Sequence, residues 1–339
     1  MKLNKNKRFV IAEIGHNHQG SIQHAKKLIK QAKLCGADAV KLQKRDNKNL
    51  YTNEFYNSVY DNPNSFARTY GAHREKLEFN FKQYKELQKY SKKIGIYFFA
   101  TPFDFNSVKF LKKLGIKAMK IASADIRNTP LQTEIAKSCK TVFLSTGGSS
   151  IKDVERAKKN ICKHNKNLII LHCTSSYPCR IEDMNLNIIL KYKKLFKNHI
   201  IGLSDHENGI DAAAPAYMLG ARVFEKHFTL NRANKGTDNA VSLEPSGLSK
   251  FIRTLDRLPV ILGNSEKKVL LSEKKPIFKM AKSIVASRFL KKGSILKRSD
   301  INFKSPGGGV DPYFISKFLG KKLTKNLKED DKILFNFIK

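Results

Sequence analysis

The chain has 339 residues and a mass of 38.6 kDa, too long for one small domain but suited to a barrel of about 250 residues plus a smaller unit. Hydrophobic residues make up 41% of the sequence and aromatic residues 10%, which excludes a disordered or low-complexity chain. The net charge is +36, but the basic residues are mostly lysines spread over the predicted helices, whereas nucleic-acid sites usually cluster arginine with stacking aromatics. We therefore expect no specific nucleic-acid partner and interpret the charge as a lysine-rich surface that attracts anionic substrates.

The cysteines and the hydropathy of the sequence indicate the cellular compartment in which the protein is expected. The five cysteines include no Cys-x-x-Cys pair, so no disulfide framework is expected. The apolar stretch at residues 9–14 is short and contains Glu13, which argues against a secretion signal. No run of 18 apolar residues occurs, and no membrane association is predicted. The sequence predicts a cytoplasmic protein.

Eight short, β-branched runs alternate with amphipathic segments up to about residue 262. The runs are residues 9–13, 39–43, 96–101, 118–121, 141–145, 168–172, 200–204 and 223–227. Nearly continuous apolar runs are typical of parallel strands covered on both faces. Helical spacing lies between them, for example at residues 25–34, 84–94, 151–162 and 248–258. This α/β pattern favours a closed (β/α)₈ TIM barrel over an open doubly wound sheet, which more often stops at about six strands.

One connection is much longer than the others. Residues 45–80 follow the second predicted strand and are polar and rich in Tyr and Asn. Loops longer than about 15 residues are usually functional or disordered, and this one should lie over the barrel mouth. Its segment 70–78 is either a wall of the site or the beginning of a helix.

After Gly263 the alternation of apolar runs and helical segments stops. Residues 264–280 form a charged linker that contains proline, and residues 281–339 carry short strand-like pieces broken by Gly and Pro. We therefore predict a barrel over 1–263, a linker over 264–280 and a small β-rich domain over 281–339.

Active sites of (β/α)₈ barrels lie at the carboxyl ends of the strands. Each of the eight runs ends in, or is interrupted by, a polar group that can bind, donate or exchange a proton. These groups are Glu13, Lys41, Gln43, Thr101, Lys120, Ser123, Ser145, Thr146, His172, Thr174, Ser175, Ser204, Asp205, His206, Glu225 and His227. Eight strands that all deliver such groups to one rim predict an enzyme site.

His206 and His227 end the seventh and eighth runs, so their imidazoles should be neighbours. With oxygen ligands from Glu13 or Glu225, water or substrate, they suit a catalytic divalent metal with an open position. The structural alternative is a pair of hydrogen-bonded rim histidines. We favour the metal.

Lys41 and Lys120 are flanked by apolar residues, and a buried ammonium group needs an anionic partner. That partner is either an internal glutamate or a bound ligand. The surrounding hydroxyls, together with Gly147 and Gly148, suit a small dianion that carries phosphate. A lysine that forms a Schiff base is also compatible with this pattern, so the chemistry stays open at this point.

The polar strand ends belong to an ordered series of motifs that resembles the sialic acid (N-acetylneuraminate) synthase family. The motifs are at residues 13–20, 40–43, 101–103, 120–123, 144–147, 172–178, 202–206 and 225–229. The tail from about residue 281 is similar to the family's C-terminal antifreeze-like (SAF) domain. The resemblance covers nearly the whole chain.

The resemblance implies a metal-dependent condensation of phosphoenolpyruvate with an N-acyl hexosamine of the N-acetylmannosamine type. The products would be a nine-carbon sialic acid and phosphate, with Mn²⁺ or Mg²⁺ as the metal. It also implies a homodimer in which each SAF domain caps the partner's barrel. The alternatives are a synthase for another nonulosonic acid (legionaminic or pseudaminic acid), a synthase that uses a shorter sugar, and, from a different class, a polyanion-binding protein with a degenerate barrel.

Residue by residue, the resemblance assigns the metal to His206 and His227, with Glu13 as the catalytic carboxylate beside it. The residues matched to phosphoenolpyruvate are Lys41, Thr101, Lys120, Ser123, Ser145, Ser175 and Ser204. Those matched to the sugar are Gln43, Asp125, Tyr177 and Asp238. Two positions depart from the family pattern: Ser175 stands where asparagine is frequent, and Lys304-Ser305 where many members carry an arginine. Asp205 is expected to orient His206.

Overall fold

The computed structural model describes residues 3–339. The chain divides into two compact units, Met1–Gly263 and Asn264–Lys339. Among the described residues, no helix combines the length and the apolar character needed to cross a membrane.

Eight parallel strands form a closed barrel in the first unit. They are β1 (Phe9–Gly15), β2 (Ala39–Lys44), β3 (Tyr97–Pro102), β4 (Ala118–Ile121), β5 (Thr141–Ser145), β6 (Leu168–Cys173), β7 (Ile200–Asp205) and β8 (Val223–His227). Each strand pairs with the next, and β1 pairs with β8 to close the ring. The predicted TIM barrel is confirmed, and every predicted strand boundary lies within two residues of the observed one.

Helices follow the strands, and the longer ones bury an apolar face against the barrel. They are α1 (Ile22–Leu34), α2 (Asn47–Leu50), α3 (Asn53–Asn57), α4 (Tyr70–Lys76), α5 (Phe81–Lys93), α6 (Phe105–Lys113), α7 (Thr129–Ser138), α8 (Ile151–Cys162), α9 (Ile188–Leu195), α10 (Ala213–Leu219) and α11 (Pro245–Leu262). Side-chain caps set several starts: in α5, Asn80 and Gln83 exchange hydrogen bonds with each other's backbone amides. The lysine pairs lie on the exposed faces of these helices, as a solvated surface requires.

The long connection after β2 is folded. It contains α2, α3 and α4, and α4 begins where the Thr69 side chain accepts a hydrogen bond from the amide of Ala72. Aromatic rings join these short helices: Tyr70 lies 4.6 Å from Phe55 and 5.1 Å from Tyr51 between ring centroids. This packing gives a polar segment a fixed shape.

The barrel interior is polar near the carboxyl ends of the strands and apolar toward the opposite end. Phe99 of β3 and Phe143 of β5 stack with ring centroids 5.1 Å apart and fill the lower layer. In the strand register, Lys41 is the partner of Phe99, and Lys120 is the partner of Phe143. Each lysine therefore lies beside one of these phenylalanines on the neighbouring strand, and both lysines line the cavity above the apolar core.

The second unit contains α12 (Lys274–Met280), β9 (Ser283–Ala286) and β10 (Ile301–Lys304), and the two strands form a small antiparallel sheet. Its core gathers apolar side chains from the whole tail, including Ile284, Leu296, Phe318 and Ile333. The predicted fold class, a TIM barrel followed by a small β-containing domain, is confirmed. The segment predicted as a linker, residues 264–280, includes α12, and its boundaries stay a prediction.

Candidate active site

A cavity of about 440 Å³ lies at the carboxyl ends of the barrel strands. Of the predicted site residues, those that line it are Glu13, Lys41, Gln43, Thr101, Lys120, Ser123, Ser145, Ser175, Tyr177, His206, His227 and Asp238. Residues more than 200 positions apart in the chain thus converge because each lies in a strand of one closed sheet or in the loop that follows it.

Two of the residues that the resemblance assigns to a substrate, Ser204 and Asp125, do not line the cavity, and neither do the strand-end groups Thr146, His172, Thr174 and Asp205. Ser204 is buried beneath it and lies 3.2 Å from the ammonium nitrogen of Lys120. Asp125 accepts a hydrogen bond from the side-chain amide of Asn128 at 3.0 Å, and burial raises the pKa of Asp125. Ser204 therefore supports a cavity residue, and Asp125 is engaged in the turn before α7.

Lys41 of β2 has an internal carboxylate partner. Its Nζ lies 2.6 Å from Oε2 of Glu13 and donates to Oγ1 of Thr101 at 3.0 Å. Gln43 Nε2 holds the other carboxylate oxygen of Glu13 at 2.9 Å. All of these atoms lie at the mouth of β1, β2 and β3, so Glu13 is fixed in position by both of its oxygens.

Lys120 of β4 pairs in the same way with Glu225 of β8, and Ser204 Oγ lies 3.3 Å from the same carboxylate oxygen. Burial alone would raise the pKa of Glu225, but Lys120 and Lys41 outweigh it and hold that pKa below its ordinary value. Burial alone would likewise lower the pKa of Lys120, and Glu225 reverses the effect. The floor of the cavity thus holds two lysine–glutamate pairs, Lys41 with Glu13 and Lys120 with Glu225.

His206 and His227 are neighbours, with ring centroids 5.4 Å apart. His206 Nδ1 lies 2.8 Å from the carbonyl oxygen of Thr174, an acceptor that places a proton on Nδ1 and makes Nε2 the nitrogen that could bind a ligand. Burial alone would lower the pKa of His206, but the neighbouring Cys173 and the Thr174 carbonyl outweigh it and raise that pKa. The orienting group is therefore a backbone carbonyl, and the expectation that Asp205 serves this purpose is wrong: the Asp205 carboxylate binds Lys226 at 2.7 Å instead.

The two imidazoles fit a divalent metal ion. His227 Nδ1 is buried without a hydrogen-bond partner, and burial lowers the pKa of His227, which keeps the ring neutral and its lone pair free. Asp238 Oδ2 lies 3.7 Å from that nitrogen. Within residues 3–339 no three His, Cys, Asp or Glu side chains form a closed metal cluster. The remaining positions would belong to water and substrate, as in catalytic sites.

The ends of β4, β5 and β6 form a patch of hydroxyls and backbone amides, which we call the hydroxyl patch. It consists of Ser123, Ser145, Gly147, Gly148 and Ser175. Gly147 N donates to Ser123 Oγ at 3.0 Å, and a side chain at Gly147 would overlap Ser175 Oγ. Ser145 Oγ is buried without a hydrogen-bond partner in the described chain. An unpaired buried donor among the hydroxyls of this patch indicates a site for anionic oxygens.

Three arginines also line the cavity, and the sequence reasoning did not single them out: Arg45, Arg74 and Arg127. Arg74 belongs to α4, so residues 70–78 both begin a helix and supply a wall of the site. Composition was an available signal, because arginine is the minority cation of this lysine-rich chain and three arginines, Arg45, Arg68 and Arg74, lie in the connection after β2.

In the second unit, the segment that departs from the family pattern has internal partners. Lys304 Nζ lies 2.5 Å from Oδ1 of Asp330. Ser305 Oγ lies 2.6 Å from the ammonium nitrogen of Lys282 and donates to the carbonyl oxygen of Met280 at 3.1 Å. Lys304 is thus engaged by Asp330, and Lys282 is the cation next to Ser305.

Comparisons with known proteins agree with this architecture. Residues 28–267 match the NeuB family, and residues 281–339 match the SAF domain. The human N-acetylneuraminate-9-phosphate synthase is 37% identical over 96% of this chain and 91% of its own length. The N,N'-diacetyllegionaminic acid synthase of Campylobacter jejuni is 38% identical over 96% of this chain and 99% of its own. The structure of the sialic acid synthetase of Leptospira borgpetersenii, in complex with citrate, superposes with a TM-score of 0.70 at 34% identity and covers 82% of this chain and 94% of that one.

Fold and site together define a (β/α)₈ barrel enzyme whose active-site cavity is lined by paired lysines, hydroxyls and two histidines. The chain belongs to the NeuB family of sialic and related nonulosonic acid synthases, and it carries the SAF domain at its C-terminus.

Proposed function

We propose that this enzyme condenses phosphoenolpyruvate with an N-acyl hexosamine of the N-acetylmannosamine type, in a reaction that requires Mn²⁺ or Mg²⁺ and yields a nine-carbon sialic acid and phosphate. The observation that carries the proposal is the convergence of both lysine–glutamate pairs, the hydroxyl patch and the two histidines on one cavity. The synthases named among the relatives support it.

Phosphoenolpyruvate presents a phosphate and a carboxylate on three carbons. The hydroxyl patch offers Ser145 Oγ, which has no hydrogen-bond partner among the described residues, and it includes Gly148, where a Cβ would meet no atom within 4 Å. Lys41 and Lys120 stand beside it on the cavity floor and provide charge-assisted donors. We therefore place the phosphate at the hydroxyl patch and the carboxylate toward the lysines.

The charge balance of the site supports a metal. Glu13 and Glu225 already pair with Lys41 and Lys120. The negative charge of a bound phosphoenolpyruvate would therefore have no unpaired lysine on the cavity floor to balance it. His206 and His227 are the residues that would hold the ion, which supplies Lewis-acid polarisation of the sugar aldehyde when bound. Tyr177, whose ring centroid lies 4.1 Å from that of His206, shields the pair from solvent.

Glu13 is placed to handle the proton transfer. As C3 of the enol attacks the aldehyde carbon, positive character develops at C2, water adds there, and phosphate then departs. The carboxylate of Glu13, held by Gln43 at 2.9 Å and Lys41 at 2.6 Å, orients and deprotonates that water or a sugar hydroxyl.

Glu13→Gln should lower kcat by about 10²- to 10⁴-fold, the usual contribution of a general base. Phosphoenolpyruvate affinity should stay equal or rise, because the substitution frees Lys41 from its carboxylate partner. Steady-state kinetics and calorimetric titration with phosphoenolpyruvate separate the two quantities. Glu86→Gln, an exposed partner of Lys26, is the matched control. Equal losses in turnover and binding would remove the assignment of Glu13.

The function itself is tested by incubating the protein with phosphoenolpyruvate, Mn²⁺ and a panel of N-acyl hexosamines. We expect release of phosphate together with a nine-carbon acid, identified by mass spectrometry, and loss of both after treatment with a chelator. The panel includes N-acetylmannosamine, its 6-phosphate and the diacetamido sugars that lead to legionaminic and pseudaminic acids. Turnover of only a diacetamido sugar would assign the related nonulosonic acid, and unchanged turnover after thorough metal removal would contradict the metal site.

Assembly and location belong to the same proposal. We propose a cytoplasmic homodimer in which each SAF domain caps the partner's barrel. Exposed apolar side chains support an interface: Val260 at the end of α11 is 81% exposed and Leu271 is 81% exposed.

A further inference from the structure

Lys226 is a charged residue on the side of the β8 strand that faces away from the cavity. Its neighbours Glu225 and His227 line the cavity, and because side chains alternate along a strand, Lys226 points to the opposite face of the sheet. Its side chain is completely buried, and within residues 3–339 the one carboxylate that pairs with it is that of Asp205, at 2.7 Å. Parallel strands normally present apolar side chains to the surrounding helices, so packing alone does not account for a buried ion pair here.

Asp205 and Lys226 together hold the backbone of Glu207. Oδ1 of Asp205 accepts a hydrogen bond from the Glu207 amide at 2.8 Å, and Lys226 Nζ donates to the Glu207 carbonyl oxygen at 2.5 Å. Both carboxylate oxygens of Asp205 and both backbone polar groups of Glu207 are therefore engaged. We call this arrangement, the two side chains with the Glu207 backbone, the Asp205–Lys226 clasp. The residue between its two backbone positions is His206.

The clasp lies where the pairing of β7 with β8 ends. Asp205 and Lys226 are the last register pair of these two strands, and the next residue of the chain after each is a histidine of the proposed metal site. His227 continues in register with Glu13 of β1, whereas His206 lies beyond the end of β7 and has no register partner in β8. The clasp therefore joins the His206 segment to the residue that precedes His227.

The other hydrogen bonds of His206 reach β6 and the loop that follows it. Its Nδ1 lies 2.8 Å from the carbonyl oxygen of Thr174, and its own carbonyl oxygen accepts from the amide of Cys179 at 2.8 Å. These contacts set the rotation of the ring, but they do not connect it to β8. The clasp supplies that connection, and two imidazoles that bind one metal ion tolerate little change in their separation.

We propose that Asp205 and Lys226 are positioning residues for the divalent metal ion, because their clasp fixes the separation of the His206 and His227 imidazoles before the ion binds. Neither residue lines the cavity, so we assign neither a contact with substrate. Imidazoles that are already in place bind an ion without first ordering a loop, which lowers the cost of binding. This inference rests on the proposed function, because it requires the metal at the two histidines.

Binding of Mn²⁺, measured by electron paramagnetic resonance without substrate, tests the clasp. The variants are Lys226→Met, Asp205→Asn and the double variant Asp205→Leu with Lys226→Met. We expect each of them to bind Mn²⁺ about 10- to 100-fold more weakly than the wild-type protein, the usual effect of losing a group that supports metal ligands. Pulsed measurements on the bound ion should detect two imidazole nitrogens in the wild-type protein and fewer in the variants.

Urea unfolding without metal separates positioning from stability. Apolar side chains of similar volume often replace a buried ion pair without loss of stability, so the double variant should unfold near the wild-type midpoint and still bind Mn²⁺ weakly. A purely structural role of the ion pair would instead restore both properties together. Asp205→Asn, which keeps the size of the side chain, carries the test if an apolar variant fails to fold.

The matched control is Arg8→Met. Arg8 pairs with Asp38 at 2.5 Å where β1 begins, at the amino end of the barrel and far from the histidines. Its loss should lower stability and leave Mn²⁺ affinity unchanged.

The possible failures are distinguishable. Wild-type Mn²⁺ affinity in the folded clasp variants would overturn the clasp and leave the metal site standing. Absence of Mn²⁺ binding by the wild-type protein would contradict the metal site and the clasp with it. Absence of turnover with every acceptor, together with weakened Mn²⁺ binding in the clasp variants, would contradict the proposed reaction and still support the clasp.

Discussion

Lys120→Met should produce the largest combined loss, reducing kcat/KM for phosphoenolpyruvate at least about 100-fold and destabilising the barrel by about 3–5 kcal/mol. The substitution removes a charged donor from the cavity floor and leaves the buried Glu225 carboxylate without its main partner. Phosphate-release kinetics measures the first effect, and urea unfolding measures the second.

Two further variants separate stability from function. In the double variant Lys120→Met with Glu225→Gln, the orphaned charge is gone, so stability should largely return while turnover stays lost. Lys226→Met removes a buried lysine of β8 that pairs with Asp205 outside the cavity. It should lower stability and leave the affinity of the folded enzyme for phosphoenolpyruvate intact. Equal phosphoenolpyruvate affinities in Lys120→Met and the wild-type protein would contradict the placement of the substrate.

The second large effect is expected at the histidine pair. His206→Gln and His227→Gln should each weaken Mn²⁺ binding by more than about 100-fold, because each removes one of two protein nitrogens, and changes to groups that merely support metal ligands already cost 10- to 100-fold. Turnover should fall in parallel. Electron paramagnetic resonance of Mn²⁺ measures metal binding independently of activity. Phosphate release at increasing Mn²⁺ concentration measures the loss of turnover.

The matched control for this pair is His199→Gln. His199 lies at the base of β7, where its Nδ1 contacts the carbonyl oxygen of Leu168 at 3.1 Å, outside the cavity. Its Mn²⁺ affinity should equal that of the wild-type protein. If His206→Gln bound Mn²⁺ as tightly as the control, the two imidazoles would be hydrogen-bonded rim residues and the metal site would have to be sought elsewhere.

The barrel could be predicted from sequence because its signal is local and repeated. A parallel strand buried on both faces needs a run of apolar, β-branched residues, and such runs ended in reactive groups eight times. Because the outer face of such a strand is covered by apolar helices, a charged side chain within the run, such as Lys41 or Lys120, is expected to point into the barrel. The convergence of these residues therefore followed from strand order alone.

What sequence left open depends on contacts between distant segments. Residue spacing does not decide whether Lys120 meets an internal glutamate or only a ligand. In the structure its partner is Glu225, which lies 105 positions away in the chain. The placement of Arg74 depends on aromatic packing within residues 45–80, which has no periodic signature. Asp125 turns toward Asn128 and Asp205 toward Lys226, choices among nearby partners that spacing does not determine.

The pairing of β1 with β8, which closes the barrel, limits how far the chain can fold during translation. β1 is the first barrel strand to be synthesised, yet the register partner of its Glu13 across the seam is His227 in the last strand. The nascent chain must keep its first strand unpaired on one side until the eighth has emerged, a non-local contact of the kind that slows folding. A translation product that ends before His227 lacks one of the two imidazoles proposed to hold the metal, so premature termination there should yield an inactive chain rather than one with altered specificity.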